Sequence, residues 1–312
     1  MTLHFRQLAF REPMRSIRLY PTMAVALLIT ACGGGSEEPD TSPTTAPEGY
    51  SLAWSDEFDV NGLPDPSRWD YDTDRNRLGW YNNELQYYAR ERAENAVVQD
   101  GRLVITARKE DLSAMPDWGG QAYSSARLIT RGKATWTYAH MEVRARLPCG
   151  EGTWSAAWML AETGRWPDDG EIDIVEHIGH ASDRVFSTLH SRNSAALPPP
   201  YSIRLADACT EFHTYHLTWT PDSITMGVDG AIHYRAFRNG MPYDAWPFTG
   251  PQYLLLNIAL GGLLGGKVDD QMPPAQMEVD YVRVYQKDAT PAVPVPAPTV
   301  DAVPVTEPQD GA

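Results

Sequence analysis

The chain is short of three things. It has three cysteines in 312 residues, its 26 basic residues are outnumbered by 41 acidic ones, and no apolar run is long enough to cross a bilayer. The formal charge of −15 argues against a nucleic-acid partner, whose phosphates must be met by Lys and Arg. It suits a secreted protein acting on a neutral substrate. No internal repeat is present, which sets aside a repeat array. With Cys32 in the leader described next, only Cys149 and Cys209 remain for a folded domain. In an oxidising compartment these two can pair, with two separate buried thiols as the alternative; a disulfide is the expectation carried forward.

What is present divides the chain into four parts. Arg15 and Arg18 precede the apolar run Met23–Ile29, which has the size and place of a signal h-region. The run ends in Leu28-Ile29-Thr30-Ala31-Cys32 with three glycines following, a pattern that resembles a bacterial lipoprotein signal cleaved before a lipidated cysteine. Residues 1–31 are read as that signal, with Met14 as an alternative start. Residues 32–49 are read as the lipidated Cys32 and a flexible Ser/Thr/Pro tether. Residues 50–287 form the domain, and residues 288–312 a Pro-rich disordered tail. The protein is expected to be a monomer held to the cell envelope, at the outer membrane or cell surface, through its lipid alone.

With 42% hydrophobic residues the domain can bury one substantial core. Its punctuation is that of a β protein. Asp100-Gly101 and Asp229-Gly230 stand between apolar flanks, a strong short-range hairpin signal. Met141–Leu147 and Met277–Tyr285 alternate apolar and charged residues, and short strand-like runs recur at Trp154–Leu160, Val185–His190, Phe212–Thr220 and Tyr253–Leu260. This favours an all-β sandwich of two antiparallel sheets. Tyr81–Arg92 carries no clean apolar face and reads as a surface loop or irregular segment.

The stretch Gly170–His177 (GEIDIVEH) breaks its own alternation. Glu171 and Asp173 share a strand face, but Glu176 would point into the core unless a one-residue bulge near Val175 restores it. A buried unpaired carboxylate costs several kcal/mol or is neutralised, so the bulge is the expected resolution. All three acids then line one face, with Ile172 and Ile174 packing inwards. Retaining cleavage of a glycosidic bond needs two carboxyl groups roughly 5–5.5 Å apart. Two glutamates leaning together over the shorter Asp173 could provide them, with Asp173 helping to split their protonation states. On the pattern alone, a solvated acidic strand and a cation site remain the alternatives.

The surroundings add a resemblance that runs over nearly the whole domain. Trp54-Ser55-Asp56-Glu57-Phe58, Tyr81–Tyr88 (YNNELQYY), Tyr123–Thr130, Gly152–Leu160, GEIDIVE, Thr188-Leu189-His190, Val228-Asp229-Gly230 and Val279–Tyr285 follow the order and spacing of the laminarinase-like branch of glycoside hydrolase family 16. The resemblance implies a β-jelly-roll with an open concave cleft and retaining endo-hydrolysis of β-1,3-glucan by two glutamates. It implies Glu171 as nucleophile, Glu176 as general acid/base and Asp173 as assisting carboxylate. Val175 matches laminarinases and galactan hydrolases and speaks against a mixed-linkage glucanase.

Glycan clefts are lined with flat aromatics and polar groups. Of Trp136, Trp154, Trp158 and Trp166, the resemblance favours Trp154 and Trp158 as sugar-binding, although the sandwich core has an equal claim on any one tryptophan. It implies substrate contacts for Asn83 and Arg127, with loop-stabilising hydrogen bonds as the alternative. His190 could contact sugar or steady Glu176, or be a cross-strand histidine. Leu263 and Leu264 stand after Asn257-Ile258-Ala259-Leu260-Gly261-Gly262 where laminarinases commonly carry a tryptophan, which weakens one expected subsite. No cofactor is required for the chemistry; Glu57, Gly101 and Asp280 match a structural Ca²⁺ site on the convex side. An agarase-like galactan hydrolase and a glycan-binding protein on the same scaffold are the competing functions, the latter opposed by the presence of both glutamates.

Overall fold

The computed structural model describes residues 45–288. The leader, Cys32, most of the tether and nearly all of the Pro-rich tail lie outside the described residues. Ordered contacts begin ahead of Tyr50: Thr45 donates its backbone N–H to Glu142, and its hydroxyl lies 2.9 Å from both Glu142 Oε1 and His140 Nε2. No helix among the described residues is long and apolar enough to cross a membrane.

The strands are β1 (Tyr50–Asp56), β2 (Asp70–Tyr71), β3 (Gln86–Tyr88), β4 (Ala96–Gln99), β5 (Arg102–Lys109), β6 (Tyr123–Ser125), β7 (Arg127–Ile129), β8 (Ala139–Arg146) and β9 (Thr153–Ala161). They continue as β10 (Glu171–Ile178), β11 (Arg184–His190), β12 (Tyr201–Arg204), β13 (His213–Trp219), β14 (Ser223–Val228), β15 (Ala231–Phe237), β16 (Gln252–Leu260) and β17 (Ala275–Lys287). One sheet runs β15-β14-β13-β8-β17-β5-β6-β3, with β1 added to β17 and β4 to β5; the other runs β12-β11-β10-β9-β16-β7-β2. Pairing is antiparallel except between β3 and β6. The two-sheet sandwich expected from the strand pattern is what forms.

Alternation decides the layers. In β8, Ala139, Met141, Val143 and Ala145 enter the core between the sheets, where they meet Leu217 and Trp219 of β13 and Leu254, Leu256, Ile258 and Leu260 of β16. The opposite parity of β16 supplies a second, smaller apolar cluster on the other face, Tyr253 and Leu255 with Ile129, against which Trp158 and Leu160 pack. That outer face of the seven-stranded sheet is where the cleft lies. Both Asp-Gly turns form hairpins, with Asp100, Gly101, Asp229 and Gly230 all at positive φ as a two-residue type I′ turn needs. The alternation in Met277–Tyr285 slips at a bulge between Val279 and Tyr281, which keeps both Val279 and Val282 in the core.

One expectation needs correcting. Tyr81–Arg92 is not all surface loop, because Gln86–Tyr88 form the buried strand β3. Its partner β6 is remote in sequence and parallel, so no local pattern announces it. Gln86 is accommodated in the interior by accepting from the Leu260 N–H at 2.8 Å and donating to Glu84 at 2.9 Å.

Cys149 and Cys209 are joined, with Cα atoms 5.6 Å apart, next to the Leu147 N–H bond to Ala208 O. The bridge closes a loop of 60 residues in sequence that contains the whole of β9, β10 and β11. Loop-closure entropy for a span of that size is worth about 4 kcal/mol in the unfolded chain. Replacing both cysteines by serine is therefore expected to lower the melting temperature by roughly 10 °C for a domain of this size. Calorimetry of the oxidised protein and the double variant checks this; equal melting temperatures would show that the bridge adds nothing.

Candidate active site

The geometry begins with β10. On β9, Asp173 pairs with Trp158 and Val175 with Ala157, so two residues of β10 advance for one of its partner. The same irregularity appears against β11, where Asp173 pairs with Thr188 and Glu176 with Phe186. The bulge therefore sits at Ile174-Val175. Both side chains enter the core, each about 1% exposed, and Glu176 returns to the face of Glu171 and Asp173. It comes to lie opposite Ala156, between Trp154 and Trp158 on β9. Just before the strand, Gly170 holds φ at 85°, and a Cβ there would come within 2.8 Å of the Phe248 ring.

The three acids line a cleft of about 840 Å³ together with Trp154 and Trp166. Trp154 Nε1 donates to Glu176 Oε1 at 3.0 Å, and the Thr188 hydroxyl donates to Glu176 Oε2 at 3.3 Å. Trp166, 65% exposed on the loop before β10, donates its indole N–H to Glu171. His190 Nε2 lies 3.2 Å from Asp173 Oδ2, and its charge also favours the ionised forms of Glu176 and Glu171. Burial raises all three carboxyl groups. Glu171 is pushed up to about 8, by burial first and by the neighbouring Asp173 second. Asp173 is raised by burial and by Glu176. Glu176 is raised by burial and by Glu171, against the hydrogen bonds from Trp154 and Thr188. Three acids so placed cannot all be ionised near neutrality; they share protons, and the split between acid and base is a property of the set.

The remaining expected site residues distribute as follows. Trp154 and Trp158 both line the cleft, as their common strand parity requires, and Arg127 lies beside Trp158 with its guanidinium 4.6 Å from that ring. Arg127 Nε is 3.2 Å from Asp72 Oδ2. Asn83 is exposed in a turn at φ 59°, while its neighbours Asn82 and Glu84 line the cleft. Trp136 belongs to the core, edge-on to Trp54 at 5.4 Å. Trp80, Tyr81, Asp72, Arg75 and Asn257 also line the cleft, and the sequence reading did not place them there. Asn257 alone had a signal: an amide inside an otherwise apolar strand.

The convex-side calcium set does not fit a cation as it stands. Glu57 is held by the Arg283 guanidinium at 2.8 to 3.2 Å, and Asp280 accepts from Arg144. Gly101 lies in the β4–β5 turn. Among the described residues no group of three or more His, Cys, Asp or Glu side chains is arranged to hold a metal.

Comparison with known proteins matches residues 83–283 to the family Glycosyl hydrolases family 16. A beta-glucanase of Rhodothermus marinus is 46% identical over 278 residues, covering 84% of this chain and 92% of that protein. The structure of SCLam, a non-specific endo-beta-1,3(4)-glucanase of the same family, is 48% identical and covers 79% of this chain and 94% of its own, with a TM-score of 0.74. The laminarinase of Rhodothermus marinus superposes with a TM-score of 0.70 at 47% identity, over 76% of this chain and 97% of that one.

Raised carboxyl groups carry a stability signature. A group whose folded pKa lies above its unfolded value stabilises the fold fully below the unfolded value, and that contribution is lost as pH rises through the folded one. For Glu171 the window runs from about 4.5 to about 8. Glu171→Gln is therefore expected to match the parent near pH 4 and to exceed its melting temperature by roughly 5 °C near pH 8.5. Thermal melts of both proteins across that range check it; a difference independent of pH would mean that Glu171 titrates normally.

Proposed function

This chain belongs to glycosyl hydrolases family 16, and from that footing we propose that it is a retaining endo-β-1,3-glucanase. The observation that carries this reading is the single row of Glu171, Asp173 and Glu176, set by the bulge on the floor of an aromatic-lined cleft. Glu171, receiving the Trp166 N–H and with the shared proton held by Asp173 beside it, attacks the anomeric carbon as a carboxylate. Glu176, held by Trp154 and Thr188, protonates the departing glycosidic oxygen. A covalent glycosyl-enzyme forms, and Glu176, now a base, takes a proton from the water that releases it with retention. Asp173, between the two and paired with His190, passes or holds the shared proton as charge moves along the row. The open cleft admits a chain at an internal position, which is what endo cleavage requires.

The linkage is a finer matter. One structural relative is described as non-specific for β-1,3(4) bonds, so the expectation that Val175 sets this chain apart from mixed-linkage enzymes falls to a substrate panel. Laminarin, lichenan and agarose with product analysis separate the readings. Short oligosaccharides from laminarin are expected, and no reducing ends from any of the three would overturn the hydrolase. Glu171→Ala is expected to end turnover, and Glu176→Ala to slow it by about 10²- to 10⁴-fold on natural substrates. Near-normal turnover in either variant would remove that residue from its role.

Localisation rests on the leader, where Leu28–Cys32 supports a lipid anchor at the cell envelope. Cys32→Ala is expected to move the protein from the membrane to the soluble fraction. Its persistence on membranes would count against the anchor.

A further inference from the structure

Strand β16 runs Leu254-Leu255-Leu256, then Asn257, then Ile258-Ala259-Leu260. Asn257 stands on the cleft side, opposite Ala156 of β9 and Arg127 of β7, and is 6% exposed. A buried amide in an apolar strand is costly unless both its ends are satisfied. Here they are. Its Oδ1 accepts from Trp158 Nε1 at 2.7 Å, and its Nδ2 donates to the Tyr88 hydroxyl at 3.0 Å. The indole N–H can only donate, so it fixes the amide with its oxygen towards Trp158, and the hydroxyl at the other end accepts from Nδ2 as a second anchor.

Tyr88 is itself immobile. It is fully buried on β3, and Asn76 bonds both its carbonyl at 2.8 Å and its N–H at 2.9 Å. Trp158 is held from a second direction by Arg127, whose guanidinium lies 4.6 Å from the Trp158 ring and 5.2 Å from Trp80. Trp158 pairs with Asp173 in the sheet register, next to the catalytic acids. Its N–H is spent on Asn257 and part of its surface is covered by Arg127. What it can offer a ligand is apolar ring.

We propose that Asn257, pinned by Tyr88, is a positioning residue that fixes the Trp158 indole and makes the subsite beside the catalytic acids recognise its sugar by stacking alone. The chemical class it selects is a neutral β-linked pyranose with an uninterrupted C–H face. An indole with a free N–H would instead reward a hydroxyl or anionic substituent turned towards it. This rests on the glycanase reading above and adds to it the residue that shapes one subsite.

The test uses the full chain with Asn257→Leu, which keeps the volume and removes both bonds, and Asn257→Asp, which keeps the acceptor for Trp158 and can accept a hydrogen bond from the Tyr88 hydroxyl. Loss of a buried hydrogen-bond partner is expected to raise KM on laminarin about tenfold in N257L while kcat stays within about twofold. N257D is expected to recover KM to within about threefold of the parent. A merely structural role would lower the melting temperature without this split, and a folded N257L with parental KM overturns the inference. If N257L does not fold, Tyr88→Phe carries the test: with its Nδ2 anchor gone the amide holds Trp158 less firmly and KM should rise about threefold, and an unchanged KM in folded Y88F overturns the inference. Tryptophan emission gives a readout independent of turnover. N257L should shift to the red relative to the parent, and the shift should vanish when Trp158→Phe is present in both. Identical N257L and parental spectra overturn the hold on Trp158, whereas a parent that cuts no glycan overturns the glycanase reading and leaves that spectral comparison standing.

Discussion

A single backbone irregularity governs the arrangement. At Ile174-Val175 the catalytic strand carries one residue more than either neighbour, and both side chains enter the core. A regular strand could not keep Glu176 on the face of Glu171 and Asp173 while burying both Ile174 and Val175. The bulge satisfies both, so the apolar demand of the core and the position of the second glutamate are met by one distortion. Removing the extra residue would turn Glu176, or everything after it, to the other face. The site is thus as firmly set as the core against which Ile174 and Val175 pack.

That firmness has an electrostatic cost. Three carboxyl groups are gathered where burial disfavours each charge and each disfavours its neighbour's. The sheet supplies only partial compensation: one indole to Glu171, one indole and one hydroxyl to Glu176, one imidazole beside Asp173. Incomplete compensation keeps a proton within the set, and a double displacement needs one acid that holds a proton while another carries charge. Complete pairing with arginines, as at Glu57 and Arg283 on the convex side, would have made stable carboxylates of no catalytic use. The two clusters contrast a carboxylate paired with an arginine and carboxyl groups crowded against one another.

Much of this was legible in the residues. The Asp-Gly hairpins, the alternating strands and the slip in GEIDIVEH each follow from a period-two rule. The slip was informative because it violated that rule within a short span. The segment Tyr81–Arg92 was misread because β3 pairs with a remote parallel strand and carries Gln86 inwards, so neither alternation nor composition marks it. The far wall of the cleft, with Asp72, Arg75 and Trp80, was missed for a similar reason. Those residues come from the loop that follows the two-residue strand β2, and only the long-range pairing of β2 with β7 brings that loop to the cleft. His190 stands opposite Glu171 in the register ahead of the bulge, and its 3.2 Å approach to Asp173 Oδ2 is an atomic placement that alternation alone does not give.

Chemistry and recognition occupy different strands of the same sheet. The reacting groups stand on β10, whereas the platform beside them is assembled from Trp158 of β9, Asn257 of β16, Arg127 of β7 and, beneath, Tyr88 of β3. Because β16 and β9 also fill the core with their other face, the platform is anchored by packing that substrate does not touch. A change of specificity can therefore be made on β16 or β7 without disturbing the register that places the acids on β10. A change at the bulge cannot be made without disturbing both. This separation gives a physical reason why one sandwich can keep its pair of glutamates while altering which glycan is laid across them.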